Sequence, residues 1–379
     1  MFINLRRVRK CRIMHLFSMC CVLLVLMVCW EEVDYHIVSH VQSYSYRYLV
    51  NSYDFINKSL SVTRREADSS GRFPYLIDHK ATCVGNDVLL LLFVKSSPKN
   101  FRRRQSIRST WGNHTYLKKE LGVTVKVVFV MGVSANRHER GALQEKLRAE
   151  DSLHGDLLQQ DFADTFHNLT LKLLLQFRWA HARCAHARFL MSADDDVFVH
   201  VPNLVHYLQG LVQQGAVDVW VGHVHRGAPP VRRKSSKYYM PVQTYRWSSY
   251  PDYTAGAGYV VSRDVAEKIY QASLSLNALL HIDDVFMGMC ANVARVSPQE
   301  HVYFSGEGKA PYHPCIYEKM ITSHGHEDDV AYLWREATAP EVSNVSSGLV
   351  GKMYCTTVKI LLLCRPFFIN SYSCKAAFS

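Results

Sequence analysis

Phe189-Leu-Met-Ser-Ala193-Asp194-Asp195-Asp196-Val197-Phe-Val199 is the stretch that decides the fold. An apolar run meets three consecutive carboxylates, and a second apolar run resumes at once. Residues 187–193 read as a strand with acids at its carboxyl end. In an open α/β sheet, ligands bind beyond the carboxyl ends of the strands. Three adjacent carboxylates repel one another and cost desolvation unless a cation neutralises them. Side chains alternate along a strand, so Asp194 and Asp196 point to one side. One or two carboxylates plus a diphosphate form the hard oxygen donor set that Mg2+ or Mn2+ prefers. A bare Asp-x-Asp is also a common solvated turn; apolar strand on both sides favours the metal.

Upstream, residues 87–94 are a continuous apolar run, as in a strand buried on both faces. Residues 103–111 read as a helix and 123–131 as a second strand. Residues 139–150 form an amphipathic helix, and 168–183 repeat Leu and Phe at spacings of three and four. Strands alternating with helices predict an α/β domain with a largely parallel sheet. Downstream, Asp283-Asp284 precedes residues 285–296, where Val285, Phe286, Met289, Cys290 and Val293 recur at helical spacing. Asp283 suits an N-cap and Asp284 the first turn. Capping uses one acid and leaves the other available as a general base. Between the acidic pairs, Gly256 and Gly258 let backbone approach a ligand, or simply bend a strand.

The chain has 379 residues and a formal net charge of +11. Arg6, Arg7, Arg9, Lys10 and Arg12 supply five of those charges, so the remaining balance is small and does not call for nucleic acid. Residues 13–30 carry no formal charge and are just long enough to span a bilayer. The basic residues before them predict a type II signal anchor with the rest of the chain luminal. The expected layout is a cytoplasmic tail 1–12, an anchor 13–30, a stem 31–82 and a luminal domain 83–379. The cysteines beyond the anchor follow no zinc spacing and suit an oxidising lumen. Asn-x-Ser/Thr sequons stand at Asn57, Asn113, Asn168 and Asn344.

Several motifs now carry a family resemblance. Arg104-Gln-Ser-Ile-Arg108-Ser-Thr-Trp111-Gly resembles a signature of the β-1,3-galactosyl- and N-acetylglucosaminyltransferases. The pattern continues in Asp161-Phe-Ala-Asp164, Asn168-Leu-Thr-Leu-Lys172, Asp194-Asp195-Asp196, Tyr250-Pro-Asp-Tyr-Thr-Ala-Gly256 and Asp283-Asp284-Val-Phe-Met-Gly288. Other stretches, such as Phe304-Ser-Gly-Glu-Gly-Lys309 and Ser323-His-Gly-His326, resemble the subgroup that acts on lactosylceramide.

The resemblance implies a GT-A glycosyltransferase fold, a Rossmann-like nucleotide half joined to an acceptor half. It implies a Golgi enzyme using Mn2+ (or Mg2+), UDP-GlcNAc as donor and a galactose-terminated acceptor such as lactosylceramide. Asp196, Asp194 and His324 would hold the metal. Asp195, Arg104, Arg108, Lys172 and Gly256 would lie at the donor, and Asp284 would be the base. Cys83–Cys184 and Cys290–Cys315 are the disulfides it suggests. Within the class a β-1,3-galactosyltransferase stays open; outside it, an inactive luminal lectin.

Overall fold

The computed structural model describes residues 5–28, 73–79, 83, 87–276, 280–364 and 371–379. Helix α1 (Leu5–Val28) overlaps most of the expected anchor, and its side chains from Met14 to Val25 are exposed. Among the described residues no helix is long and apolar enough to cross a membrane. Most of the expected stem lies outside the described residues, but its end does not. Strand β1 (Tyr75–Ile77) pairs antiparallel with a strand of the main sheet, so the folded domain begins before residue 83. Gln160 Nε2 donates to Phe73 O at 2.6 Å and Trp179 Nε1 to Asp78 Oδ1 at 2.8 Å, which ties this segment down.

Strands β2 (Val88–Lys95), β3 (Thr124–Val133), β4 (Leu157–Ala163) and β5 (Phe189–Asp194) form the parallel half of the sheet. All residues of β2 are buried, as its unbroken apolar run requires when helices cover both faces. Helices α2 (Phe101–Arg108), α3 (His114–Glu120), α4 (Arg137–His154) and α5 (Leu169–Arg183) connect these strands. Asn136 caps α4 by accepting the His138 N–H. Gly155 ends it in the left-handed region at φ 63°, where a Cβ is costly.

Short β6 (Val197–Val199) and helix α6 (Val201–Gln213) lead to β7 (Trp220–His225) and β8 (Tyr253–Ser262). Helix α7 (Arg263–Ser275), α8 (Asp283–Val293) and β9 (Gln299–Glu300) follow. The chain closes with α9 (Pro314–Tyr317), β10 (Thr322–His324), α10 (Val330–Ala337) and α11 (Gly348–Leu363). The sheet order is β1-β4-β3-β2-β5-β8-β7-β9, with β6 and β10 in a separate two-stranded ladder. The sheet is thus mixed rather than largely parallel, because β8 runs antiparallel to both β5 and β7. That reversal matters for function. It brings the start of β8 beside the acidic end of β5.

Two apolar layers flank the sheet. One contains Trp179, Phe286 and Cys290; the other contains Trp111, Phe198 and Ile316. They explain a correction to the disulfides. Cys83 does join Cys184, but Cys290 is a buried free thiol, and Cys315 pairs with Cys355. Cys290 sits on α8 in one layer, while the neighbours of Cys315 on α9 pack into the other, so the sheet lies between them. Cys364 pairs with Cys374.

The sequons separate in the same way. Asn57 lies outside the described residues. Asn113 caps α3, and Asn344 is exposed. Asn168 Nδ2, the atom a glycan would occupy, donates to Ala163 O at 2.8 Å. Thr170 of that sequon is buried and donates its hydroxyl to Leu280 O. The expectation at Asn168 is therefore corrected: its amide is engaged in packed structure. Glycopeptide mass spectrometry should find Asn344 modified and Asn168 bare; a fully occupied Asn168 contradicts this packing.

Candidate active site

The end of β5 gathers chemistry from four elements. Ala193 pairs with Gly258 of β8, and Val197 pairs with His324 of β10. Asp194, Asp196 and His324 consequently converge, with a ligand atom of each within 4.8 Å of the others. His324 Nε2 is 3.6 Å from Asp196 Oδ1. Asp196 Oδ1 and His324 Nδ1 are buried without a hydrogen-bond partner among the described residues. An unsatisfied buried polar atom costs about 1–3 kcal/mol. Two carboxylates and an imidazole with such orphaned atoms fit a divalent cation of the Mn2+ type.

Lys95, which ends β2, joins this cluster to the second acidic pair. Its Nζ lies 3.1 Å from Asp194 Oδ1 and 3.2 Å from Asp283 Oδ2, and donates to Gly256 O at 2.9 Å. Burial pushes the ammonium toward its neutral form, but the charges of Asp194 and Asp283 outweigh that and hold its pKa up. Burial pushes the Asp194 carboxyl up, Lys95 opposes it, and repulsion from Asp283 and Asp196 adds to it. A bound cation would favour the ionised form. Nothing in the motif reading singled out Lys95. The signal was present, however: one charged side chain at the carboxyl end of an otherwise apolar strand.

Asp284 stands in the first turn of α8. The N-cap residue is Ile282, so Asp283 is not the cap; both acids are helical first-turn residues. Asp284 Oδ1 accepts the Val285 N–H at 2.7 Å. Burial raises its pKa to about 7, and repulsion from Asp283 adds to that. The Val285 N–H, the Lys95 charge and the Gly256 N–H pull the other way. A carboxylate poised near neutrality suits a general base. Gly256 packs on it directly: a Cβ there would lie 3.5 Å from Asp284 Cβ and 3.6 Å from Lys95 Nζ. Gly288 explains its place in the motif more strictly. A Cβ there would come within 2.8 Å of Tyr253 Cβ, so glycine lets α8 press against the start of β8.

Four residues expected at the donor prove to be internal ties. Arg104 is fully buried and grips Glu150 through two parallel 2.7 Å bonds, while its Nη1 reaches Ser97 O at 2.6 Å. Arg108 pairs with Asp156 through two 2.8 Å bonds and with Glu150 at 2.7 Å. Lys172 donates to Ser96 O and to Asp164 Oδ1, each at 2.8 Å. Asp195 accepts from Ser96 Oγ, Asn100 Nδ2 and Arg103 Nη1. Arg104, Lys172 and Asp195 bond to Ser96, Ser97 or Asn100 and fix the loop after β2, while Arg108 ties α2 to α4 and keeps its buried Nη1 without a hydrogen-bond partner among the described residues. Glu150 and Asp156, which claim the two arginines, are more than 40 residues away in sequence, whereas Asp164, which claims Lys172, belongs to the neighbouring motif.

A Ser-His-Asp chain also occurs near the metal cluster. Ser323 Oγ lies 2.7 Å from His326 Nε2, and His326 Nδ1 lies 2.9 Å from Asp329 Oδ1. Both Ser323 and His326 are wholly buried, so the hydroxyl is no nucleophile toward a substrate. The chain is a brace: the His326 N–H donates to Asp196 O at 2.7 Å. On the other side of Asp284 stand Tyr250 and Tyr253, ring centroids 6.4 Å apart, with His225 5.1 Å from Tyr253. Burial, reinforced by the Asp284 charge, raises the pKa of both phenols. A cavity of about 820 Å³ lies at the opposite ends of the strands beside Arg188 and Asp218. There Arg188 pairs with Asp87 and Lys268 with Asp218.

Comparison with known proteins gives the family. Residues 102–302 match the galactosyltransferase family, a range that includes both acidic clusters and leaves His324 outside it. Lactosylceramide 1,3-N-acetyl-beta-D-glucosaminyltransferase A of Danio rerio is 70% identical over 379 residues, covering 100% of both chains. The Homo sapiens protein of that name is 55% identical over 378 residues, covering 100% of this chain and 99% of its own. Among solved structures, a Pyrobaculum calidifontis mannosyltransferase in complex with GDP-Man and Mn2+ is 13% identical with a TM-score of 0.32. It covers 81% of this chain and 88% of its own, a likeness too distant to carry an argument. The family match and the full-length relatives together make this chain a member of the galactosyltransferase family.

Proposed function

We propose that this chain transfers N-acetylglucosamine from UDP-N-acetylglucosamine to the 3-hydroxyl of the galactose of lactosylceramide, with inversion at the anomeric carbon. The observation that carries the mechanism is the single ammonium of Lys95 between Asp194 and Asp283, beside Asp284. It links the candidate metal ligands to the acidic pair that carries the candidate base, which supports a shared site. The choice of donor and acceptor rests on the full-length relatives, whose names give lactosylceramide and N-acetylglucosamine.

Asp194, Asp196 and His324 would hold the cation. When bound, it neutralises charge on a diphosphate leaving group. Asp284 takes the proton of the acceptor hydroxyl as that oxygen attacks from the face opposite the departing UDP. Lys95 keeps Asp283 and Asp194 paired, so the proton goes to Asp284. Partly exposed Tyr253 offers a ring face on which an acceptor sugar can pack, with buried Tyr250 behind it. One in-line displacement converts an α-linked donor to a β-linked product without a covalent intermediate. The architecture is read as GT-A, with residues 13–30 as a type II anchor in the Golgi membrane and the catalytic domain luminal.

Purified full-length chain should be assayed with each UDP-sugar against lactosylceramide, with Mn2+ and with EDTA. Expected is N-acetylglucosamine transfer that EDTA abolishes and Mn2+ restores. Galactose transfer alone would reject the donor, and full activity in EDTA would reject the cation. Protease protection in sealed microsomes tests the topology, since a luminal domain survives until detergent is added.

A further inference from the structure

Phe304-Ser-Gly-Glu-Gly-Lys309 takes no part in holding the cation or moving the proton, yet it packs at the C-terminal end of β7, beside the candidate acceptor face. Ser305 Oγ donates to Gly308 O at 3.0 Å, and Gly308 turns the chain in the left-handed region at φ 77°. Gly306 sits so close to the His223 ring that a Cβ there would come within 2.5 Å of His223 Cδ2. The turn holds Glu307 near His223, exposed and with no ion-pair partner among the described residues.

A row of rings leads there from the candidate base. The Asp284 charge reaches the Tyr253 phenol. The Tyr253 ring lies 5.1 Å from that of His225, and His225 lies 5.3 Å from His223. Each step is about the length of one hexose, so an acceptor galactose on Tyr253 puts the next sugar beside His225. His225 is only partly exposed, and its ring makes no hydrogen bond among the described residues. Tyr250, 3% exposed, also keeps its Oη without a partner. Unpaired polar atoms along one strip are expected where a polar ligand supplies the missing partners.

The chemistry of the strip indicates the ligand. Burial holds both imidazoles below the usual histidine range, His225 at about 4, with the Glu307 charge opposing it. A neutral imidazole offers one N–H and one acceptor nitrogen, and an ionised carboxylate accepts only. That set matches neutral sugar hydroxyls and disfavours an anionic group. We propose that His225 and Glu307 bind the hexose on the reducing side of the acceptor galactose, which is the glucose of lactosylceramide, and so set the preference for a lactose-terminated acceptor. The proposal rests on the lactosylceramide reading and names the side chains that recognise its second sugar.

Methyl β-lactoside and methyl β-galactoside are compared as acceptors for full-length chain with UDP-N-acetylglucosamine and Mn2+. Wild type should favour the lactoside in kcat/KM by about tenfold, the scale of two hydrogen bonds. His225→Phe keeps the ring packing, and Glu307→Ala removes an exposed side chain. Each variant should shrink that preference by about threefold or more, through the KM for lactoside rather than kcat, with the KM for the donor unmoved. Equal loss on both acceptors, an unchanged preference, or a raised donor KM overturns the inference. Calorimetric titration of the two glycosides into chain loaded with UDP and Mn2+ reads the site without turnover. Wild type should bind the lactoside more tightly, and both variants should lose the difference. Equal binding of the two glycosides by wild type, or none, overturns the inference. If wild type binds the lactoside selectively and transfers nothing to it, the proposed reaction fails while the subsite stands.

Discussion

Asp284→Asn is expected to lower kcat by about 10²–10⁴-fold, the usual contribution of a positioned general base. The substitution keeps the shape and the bond from the Val285 N–H but removes the proton acceptor. Binding of UDP and Mn2+ should survive, because none of the cation's candidate ligands is altered. The pH profile of the wild type follows from the raised pKa of Asp284. The base must be ionised, so kcat/KM should rise with pH through about 7 and level off above it. Stability runs the other way. The folded protein holds this proton more tightly than the unfolded chain, whose carboxyl has an ordinary pKa. The stabilising contribution is complete below the ordinary carboxylate range and is lost as pH rises toward about 7. Asp284→Asn should therefore raise Tm at about pH 8 and change it little at about pH 4. Inactivity together with higher Tm distinguishes a catalytic role from unfolding. Full turnover in the variant would remove Asp284 from the mechanism.

Lys95→Met should be the most damaging single change for stability at the site. Asp283 is nearly buried and would lose its ion-pair partner, and breaking a buried pair typically costs about 3–5 kcal/mol. Asp194 is over a third exposed and adds less, because solvent screens it. Differential scanning calorimetry should show a large drop in Tm, partly recovered by Mn2+ bound beside Asp194. Recovery is expected to be greater than in the wild type, where Lys95 already neutralises part of the charge. An unchanged Tm would mean that Lys95 does not hold the two acidic clusters together.

Much of this site could be read from local sequence. The apolar run into Asp194, Asp195 and Asp196 marked a strand end, and alternation placed Asp194 and Asp196 together. Asp284 and its helix followed from periodicity. What escaped was set by long-range pairing. The antiparallel course of β8 depends on partners more than 60 residues away in sequence, Phe189 with Ser262 among them. The arginine motif looked like an anion site because its counter-charges Glu150 and Asp156 lie on another helix and its following loop. Lys95 fell just past the apolar run 87–94, and its role emerges only when Asp194 and Asp283 are placed on either side of it. Cys290 and Cys315 could not be separated without knowing which face of the sheet each occupied.

The central claim is that the cation cluster and Asp284 serve one sugar in one cleft. A crystal structure with Mn2+ and a non-hydrolysable UDP-N-acetylglucosamine analogue tests it most directly. The account predicts an anomalous manganese peak among Asp194, Asp196 and His324, with the anomeric carbon of the sugar turned toward Asp284. A peak elsewhere, or a sugar held away from Asp284, would contradict it.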